Sequence, residues 1–341
     1  MLSPTSVWNQ PLPADAPIDP ASATYVASLV SQKEEYGAAI SFREWALGHW
    51  YAPEDCPRQK VWVDVKDGNR PKLRAAFESV PIPPEMRACG PFPGDQIACL
   101  YQPSTDEYWE FHGMQQFEVD GPRTGVSGCS TLSEPGWHCN AGAACKSFSI
   151  NPGWFREEDW PGGGDTSARW GCSGSLLFLW PHVITVAEAQ RFYIPHAIRL
   201  TIPVRQKTWR WPAQASDGES DDTTQPQPGM IFRFNPTDTL SDVTDPFLKA
   251  VCAAIRDFGW ILTDGGQTVA LKCESQATIR GSQAFTVDAW KGAEDKFGGS
   301  GAILSETAAA LAKKIPFSRL QVVDASYRPS SIAPGGLGQG V

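Results

Sequence analysis

The sequence predicts a mainly β protein, with a β-sandwich or jelly-roll-like body, a few peripheral helices and one long insertion rich in Cys, Trp and Gly. Three observations support this fold class. Many short segments alternate apolar and polar residues with the period of two that half-buried strands require. Turn-forming residues separate these segments, and the 341 residues include 31 Gly and 29 Pro. Few segments have apolar residues at helical spacing, so the helices should be peripheral.

The N-terminal part is predicted to be an extended arm followed by a helix. Residues 1–22 contain five prolines, which favour polyproline II conformation and prevent a regular helix. Trp8 and Leu12 can anchor this arm on a folded body. Residues 22–32 place apolar side chains at helical spacing and predict an amphipathic helix. No composition break or internal repeat follows, so we expect a single β-rich domain over residues 23–325.

A hairpin of two strands is predicted over residues 95–101 and 106–117, which are separated by Gln-Pro-Ser-Thr. In the second strand Tyr108, Glu110 and His112 alternate along the chain and therefore share one face. Polar groups arranged in this way can form a carbohydrate-binding groove, and two carboxylates there would allow cleavage of a glycosidic bond. Glu110 and His112 are therefore candidate catalytic residues and Tyr108 a candidate ligand contact. The alternative is a solvated strand face.

Residues 121–174 form the long insertion. A loop of this length is usually functional or disordered, and its tryptophan content argues against disorder. Exposed indole rings stack on sugars, although large aromatic residues more often pack in a core. The candidate ligand-binding tryptophans are Trp137, Trp154, Trp160 and Trp170. The insertion also holds four of the nine cysteines, and we expect at least one disulfide among Cys129, Cys139, Cys145 and Cys172.

The block from residue 174 to 203 is strongly apolar. Residues 175–180 predict a strand buried on both sides or the start of a core helix. Thr185 can cap a short helix, and residues 196–203 alternate as a strand.

Two ionisable groups in this apolar block, Glu188 and His196, are further candidate catalytic residues. Burying either without a partner is costly, so each should be hydrogen-bonded, either in a site or in a satisfied core pair. Glu188, Asp217 or Asp264 can supply the second carboxylate beside Glu110, but the sequence does not show which of them lies near it.

The C-terminal third contains the most clearly predicted helix. Asp245 precedes a proline and can cap a helix with an apolar stripe that ends at Gly259. Residues 260–263 and 268–273 are predicted to be strands paired across an Asp-Gly-Gly turn. Residues 326–341 are rich in Gly and Pro and should form a flexible tail.

Charge and motifs exclude several classes of protein. The formal net charge of −9 argues against a nucleic-acid-binding protein, which needs a basic face. The sequence has no apolar run of about 18 residues, so we expect no membrane insertion. The first residues lack the basic and apolar regions of a secretory signal peptide. No CxxC pair, EF-hand spacing or P-loop is present, so we expect no metal site and no cofactor.

Several segments together resemble a group of proteins of actinobacteria and their tailed phages. They are S-x-W-N-x-P-L-P at 6–13, A-P-I-D-P at 16–20, Y-W-E-F at 108–111, Glu188 with I-P-H-A-I-R at 194–199, P-G before F-R-F at 228–234, and F-L-K-A-V-C-A-A-I-R-D-F-G-W-I-L-T-D-G-G at 247–266. Phage members of the group are usually called minor tail or structural proteins. The resemblance covers most of the chain and implies one domain and a virion component, but it brings no catalytic motif. The insertion and the missing signal peptide favour the phage branch over the secreted members.

We therefore predict a phage virion protein, at the tail or another exposed position, that contacts a host cell-surface glycan. Its expected partners are other virion subunits, further copies of itself in a homo-oligomer, and host cell-wall glycan. Its expected location is the phage particle, which is extracellular after lysis. One alternative is a polysaccharide-degrading hydrolase or lyase centred on Glu110, with His112, Glu188 or His196 assisting. Another is a purely structural capsid or tail decoration subunit.

Overall fold

A computed structural model describes residues 6–42, 46–63, 71–89, 95–117, 135–146, 148–149, 171–275 and 307–329. Over these residues the chain forms a mainly β body with few helices, as the sequence predicts. The strands are β1 (Ala38–Ser41), β2 (Gly48–Tyr51), β3 (Arg58–Gln59), β4 (Val61–Val63), β5 (Val80–Pro81), β6 (Ala98–Gln102), β7 (Glu107–His112), β8 (Gln115–Phe117), β9 (Gly136–Cys139), β10 (Ala141–Lys146), β11 (Ile198–Ile202), β12 (Ile231–Phe234), β13 (Trp260–Gly265), β14 (Val269–Lys272) and β15 (Leu320–Val322).

The helices in the described residues are α1 (Ser22–Tyr36), α2 (Pro71–Phe77), α3 (Val186–Arg191), α4 (Pro246–Asp257) and α5 (Ala308–Lys313), with short 3-10 turns at Val7–Asn9, Trp180–His182 and Phe317–Arg319. Helix α4 begins as predicted, because the Asp245 carboxylate accepts a hydrogen bond from Leu248 N at 2.7 Å. None of these helices is long and apolar enough to cross a lipid bilayer.

The largest sheet has the strand order β1-β14-β11-β13-β12-β15 and mixes parallel with antiparallel pairs. Strand β11 is parallel to β13 and antiparallel to β14, and it lies between them. The predicted pairing of residues 260–263 with 268–273 is therefore wrong. Both segments are strands, but the Asp-Gly-Gly turn leads across β11 instead of closing a hairpin.

The second sheet has the order β10-β7-β6-β2 and contains the predicted hairpin of β6 and β7. Its edge strand β10 comes from the long insertion and pairs with β7 over its whole length. Strand β9 of the same insertion joins β4 and β8 in a three-stranded sheet, and β3 pairs with β5. The insertion is thus in part an integral element of two sheets, where the sequence suggested one irregular loop.

One face of the six-stranded sheet is the main apolar core. It packs against α1, α4 and α5 through side chains such as Leu29, Phe247 and Leu311, which are fully buried. The strands contribute the residues that point to this face, among them Leu200 and Leu262. Burial of these apolar side chains is the main favourable contribution to folding of this half of the molecule.

The N-terminal arm packs on the opposite face of the same sheet. Trp8 and Leu12 are buried there, as predicted for anchors. Leu12 N donates to Asp257 O at 2.7 Å, and Ala197 N donates to Trp8 O at 2.9 Å. The arm is therefore fixed on the body of its own chain. Of the predicted flexible tail, residues 330–341 lie outside the described residues.

The cysteines of the insertion do not form the predicted bridge. Cys139, Cys145 and Cys172 are thiols in the structure, and Cys129 lies outside the described residues. Strand pairing explains this result, since Cys139 lies on β9 opposite Val63, whereas Cys145 lies on β10 in another sheet. The prediction of a disulfide is therefore wrong for these three cysteines.

Candidate functional site

The predicted strand face on β7 is buried instead of solvated. Tyr108 and Glu110 are fully buried, whereas the His112 side chain is 36% exposed. The Glu110 carboxylate accepts hydrogen bonds from Tyr108 Oη at 2.5 Å, from Leu179 N at 2.9 Å and from Cys172 N. Burial raises the pKa of Glu110 to about 6, although these three donors favour its charged form.

Residues 171–179, the bridging segment, connect the two larger sheets. Besides the two backbone donors to Glu110, Gly174 N donates to Asp264 Oδ1 at 3.1 Å and Ser175 N donates to Thr263 O at 3.0 Å. The predicted strand or helix start at 175–180 is therefore wrong. Four backbone N–H groups of this segment are satisfied by the Glu110 carboxylate on one side and by Asp264 and the Thr263 carbonyl on the other, so they need no partner strand.

Opposite Glu110, the second face of β11 presents Arg199. Its side chain is only 4% exposed, and its Nη2 forms an ion pair with Asp264 Oδ2. Leu200 pairs with Leu271 on antiparallel β14, so the same register places Lys272 directly opposite Arg199. Burial, with the neighbouring Arg199 charge, lowers the pKa of Lys272 to about 8.

Asp264, at the end of β13, lies beside a second carboxylate, Asp217. The Gly265 amide donates to both, at 2.9 Å to Asp264 Oδ1 and at 3.2 Å to Asp217 Oδ2. Arg205 binds Asp217 through Nε and Nη2, both at 2.6 Å.

The two carboxyl groups titrate in opposite directions. Burial raises the pKa of Asp264 to about 6; the nearby Arg199 opposes this rise and the Asp217 charge adds to it. Burial would also raise the pKa of Asp217, but the hydrogen bonds and charge of Arg205 outweigh burial and lower it. Carboxyl pairs whose environments separate their pKa values are suited to acid–base chemistry.

The rim of the site is formed by Asp95, His112 and Asp264, and Asp95 Oδ1 lies 3.5 Å from His112 Nε2. Hydrogen bonding to His112 lowers the pKa of Asp95, and the charges of Lys272 and Arg199 act in the same direction. Side-chain exposure is 49% for Asp95 and 23% for Asp264, so both carboxylates are accessible.

We call this group of residues between the two larger sheets the inter-sheet cluster. Its members are Asp95, Glu110, His112, Arg199, Asp264 and Lys272. Two of the predicted site residues, Glu110 and His112, belong to it. Of the three proposed second carboxylates, Asp264 lies within it and Asp217 beside it. Sequence reasoning missed Asp95, Arg199 and Lys272, because each looks like a solvated charge in its own segment.

The other predicted pair, Glu188 and His196, lies in a separate place. His196 Nε2 is 3.2 Å from Glu188 Oε2, which also accepts from Thr185 N and Oγ1 at 2.9 and 2.8 Å in the predicted helix cap. Burial opposes both charges, but their mutual attraction outweighs it, so the pKa of Glu188 is lowered and that of His196 raised. Both side chains are satisfied and at most 12% exposed. No contact within the described residues joins this pair to Glu110 or His112.

The structure does not support sugar stacking by the one described tryptophan among the four proposed for it. Trp137 lies on β9 and is buried, so it does not present a surface for stacking, and Tyr108 is buried as well. Trp154, Trp160 and Trp170 lie outside the described residues. Large aromatic side chains that are exposed in the described part of the chain are Tyr36, Tyr51, Phe192, Tyr193 and Trp209.

Comparisons with known proteins add no family. The chain matches no protein-family model, and neither a curated protein nor a solved structure shows significant similarity to it. Within the residues described above, no group of three or more His, Cys, Asp or Glu side chains is arranged to hold a metal ion.

Proposed function

We propose that this protein binds a host cell-surface glycan at the rim of the inter-sheet cluster, as an exposed component of an actinophage virion. The observation that supports a binding site here is the set of partly exposed polar side chains on the rim of the cluster. Asp95, His112 and Asp264 are partly exposed polar groups, and buried contacts hold Asp264 in place. Carboxylate oxygens accept hydrogen bonds from sugar hydroxyls and an imidazole N–H donates one. Because such groups are already oriented, binding costs less conformational entropy.

The virion assignment is supported by the segments that resemble phage structural proteins. Three of these segments contact one another in the folded chain. Trp8 of the first segment accepts from Ala197 of the I-P-H-A-I-R segment, and Leu12 donates to Asp257 in helix α4. The resemblance therefore concerns parts of one folded unit, and Arg199 and Asp264 of the inter-sheet cluster belong to two of these segments.

A second candidate function is cleavage of the bound glycan. The separated pKa values of Asp264 and Asp217 favour it, since near pH 6 a large fraction of Asp264 holds a proton that it can donate while Asp217 stays ionised. However, the two share the Gly265 amide and hydrogen-bond to each other, whereas the carboxyl groups of retaining glycosidases are about 5 Å apart. Binding is therefore the first proposal and cleavage the second.

The test is incubation of the purified protein with cell-wall polysaccharide of an actinobacterial host, with pulldown and released reducing ends measured together. Asp95→Ala should weaken glycan binding about tenfold, which corresponds to loss of one charge-assisted hydrogen bond. The matched control is Asp221→Ala, which removes a carboxylate that is 82% exposed on the polar loop. Equal binding by wild type and Asp95→Ala would refute the proposed site.

The same assay separates the two functions. If glycan is cleaved, Asp264→Asn should reduce release of reducing ends at least a hundredfold while the glycan is still retained. If wild type binds and releases nothing, the cleavage proposal fails and the binding proposal stands. If wild type neither binds nor releases glycan, both fail and a purely structural virion subunit becomes the better hypothesis.

A further inference from the structure

The inter-sheet cluster contains hydrogen-bond donors that the protein itself does not use. Arg199 is buried, and its Nη2 binds Asp264, but its Nε and Nη1 have no hydrogen-bond partner among the described residues. A buried guanidinium group loses its hydration, and this loss is compensated only when its N–H groups find acceptors. Two unsatisfied N–H positions on one buried cation therefore indicate that an acceptor group from outside the chain belongs here.

Lys272 adds a second cation at the same place. Residues directly opposite in an antiparallel pair have Cβ atoms about 5 Å apart, and like charges in this position repel each other. Within the described residues Lys272 Nζ forms no ion pair, and the side chain is half-buried. The charges of Asp264 and Asp95 act on Lys272 and offset part of this repulsion, and an anion placed between the two cations would offset more of it.

A third donor lies two residues further along β11. Thr201 is 1% exposed, and its Oγ1 has no hydrogen-bond partner in the described part of the chain. Exposed Gly266 lies against it: a Cβ atom at that position would come within 3.0 Å of Thr201 Oγ1. A residue with a side chain at position 266 would therefore pack tightly against this hydroxyl.

We propose that Arg199, Lys272 and Thr201 bind an oxyanion carried by the ligand, a carboxylate or a phosphate, and that the glycan bound here is therefore acidic. All three groups can donate hydrogen bonds and two are cations, which matches the lone pairs and charge of an oxyanion. Of the carboxylates on the rim, Asp95 is left for the sugar hydroxyls, whereas Asp264 already pairs with Arg199. The assignment of the oxyanion to a glycan rests on the proposed function; the oxyanion site rests on the unused donors alone.

The test is titration calorimetry of the full chain with three probes: inorganic phosphate, digalacturonate and the uncharged disaccharide galactobiose. We expect phosphate or digalacturonate to bind, and the stronger of the two identifies the source of the oxyanion. Lys272→Gln should weaken that binding at least tenfold and affect galactobiose binding less. Lys207→Gln is the matched control, because Lys207 is 53% exposed and pairs with Asp221 at the surface.

A second variant, Thr201→Val, removes the hydroxyl while keeping the shape of the side chain. Since this hydroxyl has no partner in the described protein, the variant should be as stable as wild type or more stable, yet bind the oxyanion several-fold more weakly. Unchanged oxyanion affinity in both Lys272→Gln and Thr201→Val would overturn the proposal, as would the absence of binding by both anions.

The outcomes also separate this inference from the proposed function. Binding of galactobiose or host polysaccharide without any binding of the two anions would leave the glycan function standing and refute the oxyanion site. Binding of phosphate without capture of host polysaccharide would support the oxyanion site and refute the glycan function.

Discussion

Replacement of Glu110 by Gln tests whether this carboxylate is a structural anchor of the bridging segment. The oxygen of a glutamine can take the place of Oε2 and accept from Tyr108 Oη and Leu179 N. Its amide nitrogen would then face Cys172 N, so that two donors oppose each other where the wild type has a hydrogen bond. An unsatisfied buried amide of this kind costs about 1–3 kcal/mol.

The cost should depend on pH in a defined direction. Because the pKa of Glu110 rises from 4.5 unfolded to about 6 folded, the folded state binds more protons between these values. The stability contributed by Glu110 is therefore fully present below pH 4.5 and falls by about 2 kcal/mol as the pH rises through 6. Glutamine does not titrate, so the advantage of wild type over Glu110→Gln should shrink by about 2 kcal/mol between pH 4.5 and pH 7.5.

The assay is urea-induced unfolding followed by tryptophan fluorescence at the two pH values. Glu107→Gln is the control, because Glu107 lies on the same strand but pairs with Arg58 at the surface, and its loss should cost at most about 1 kcal/mol. A gap between wild type and Glu110→Gln that stays constant or grows with pH would refute the reasoning. A variant as stable as wild type at both pH values, with glycan cleavage abolished, would return Glu110 to the catalytic candidates.

Two further predictions concern single positions. Burial raises the pKa of Glu274 to about 7, and its carboxylate accepts a hydrogen bond from Val186 N at 2.9 Å, which a glutamine would keep. Glu274→Gln should therefore raise the free energy of unfolding above pH 7 by up to about 3 kcal/mol and leave it unchanged below pH 4.5. Thermal unfolding at pH 4.5 and pH 8 would measure this difference. Gly229 has φ +91°, and a Cβ there would lie 1.8 Å from Arg210 O, so Gly229→Ala should lower the free energy of unfolding by more than about 3 kcal/mol. The control is Gly37→Ala, at φ +84° with open space around the Cβ position, which should lower it by about 1 kcal/mol. Urea unfolding measures both values, and equal losses would contradict the predicted clash.

Local sequence determined the elements whose stabilising contacts lie within a few residues. The Asp245 cap and the apolar stripe behind it specify α4, and the capping box of Thr185 and Glu188 specifies α3. Strand alternation likewise predicted β7 and the face shared by Tyr108 and Glu110. These predictions succeed because the interactions connect residue i to residues i+2, i+3 or i+4. Both partners of each interaction can therefore be recognised in a short stretch of sequence.

Burial depended on tertiary structure. Alternation shows that Tyr108 and Glu110 point the same way, but not whether water or protein lies in front of them. The bridging segment covers them, and its path depends on bonds to Thr263 and Asp264, about 90 residues further along the chain. The pairing of β13 and β14 failed for a related reason, since β11 from an earlier part of the sequence separates them.

The inter-sheet cluster was decided by tertiary structure alone. Arg199 was seen in the sequence only as one position of an alternating strand, and Lys272 as part of a predicted hairpin. The register of β11 with β14 makes them neighbours, and β13 brings Asp264 to the same face. A charged residue in a short strand has the same sequence signal whether it faces solvent or a buried partner. What distinguishes the two cases is the charge that a distant segment places beside it.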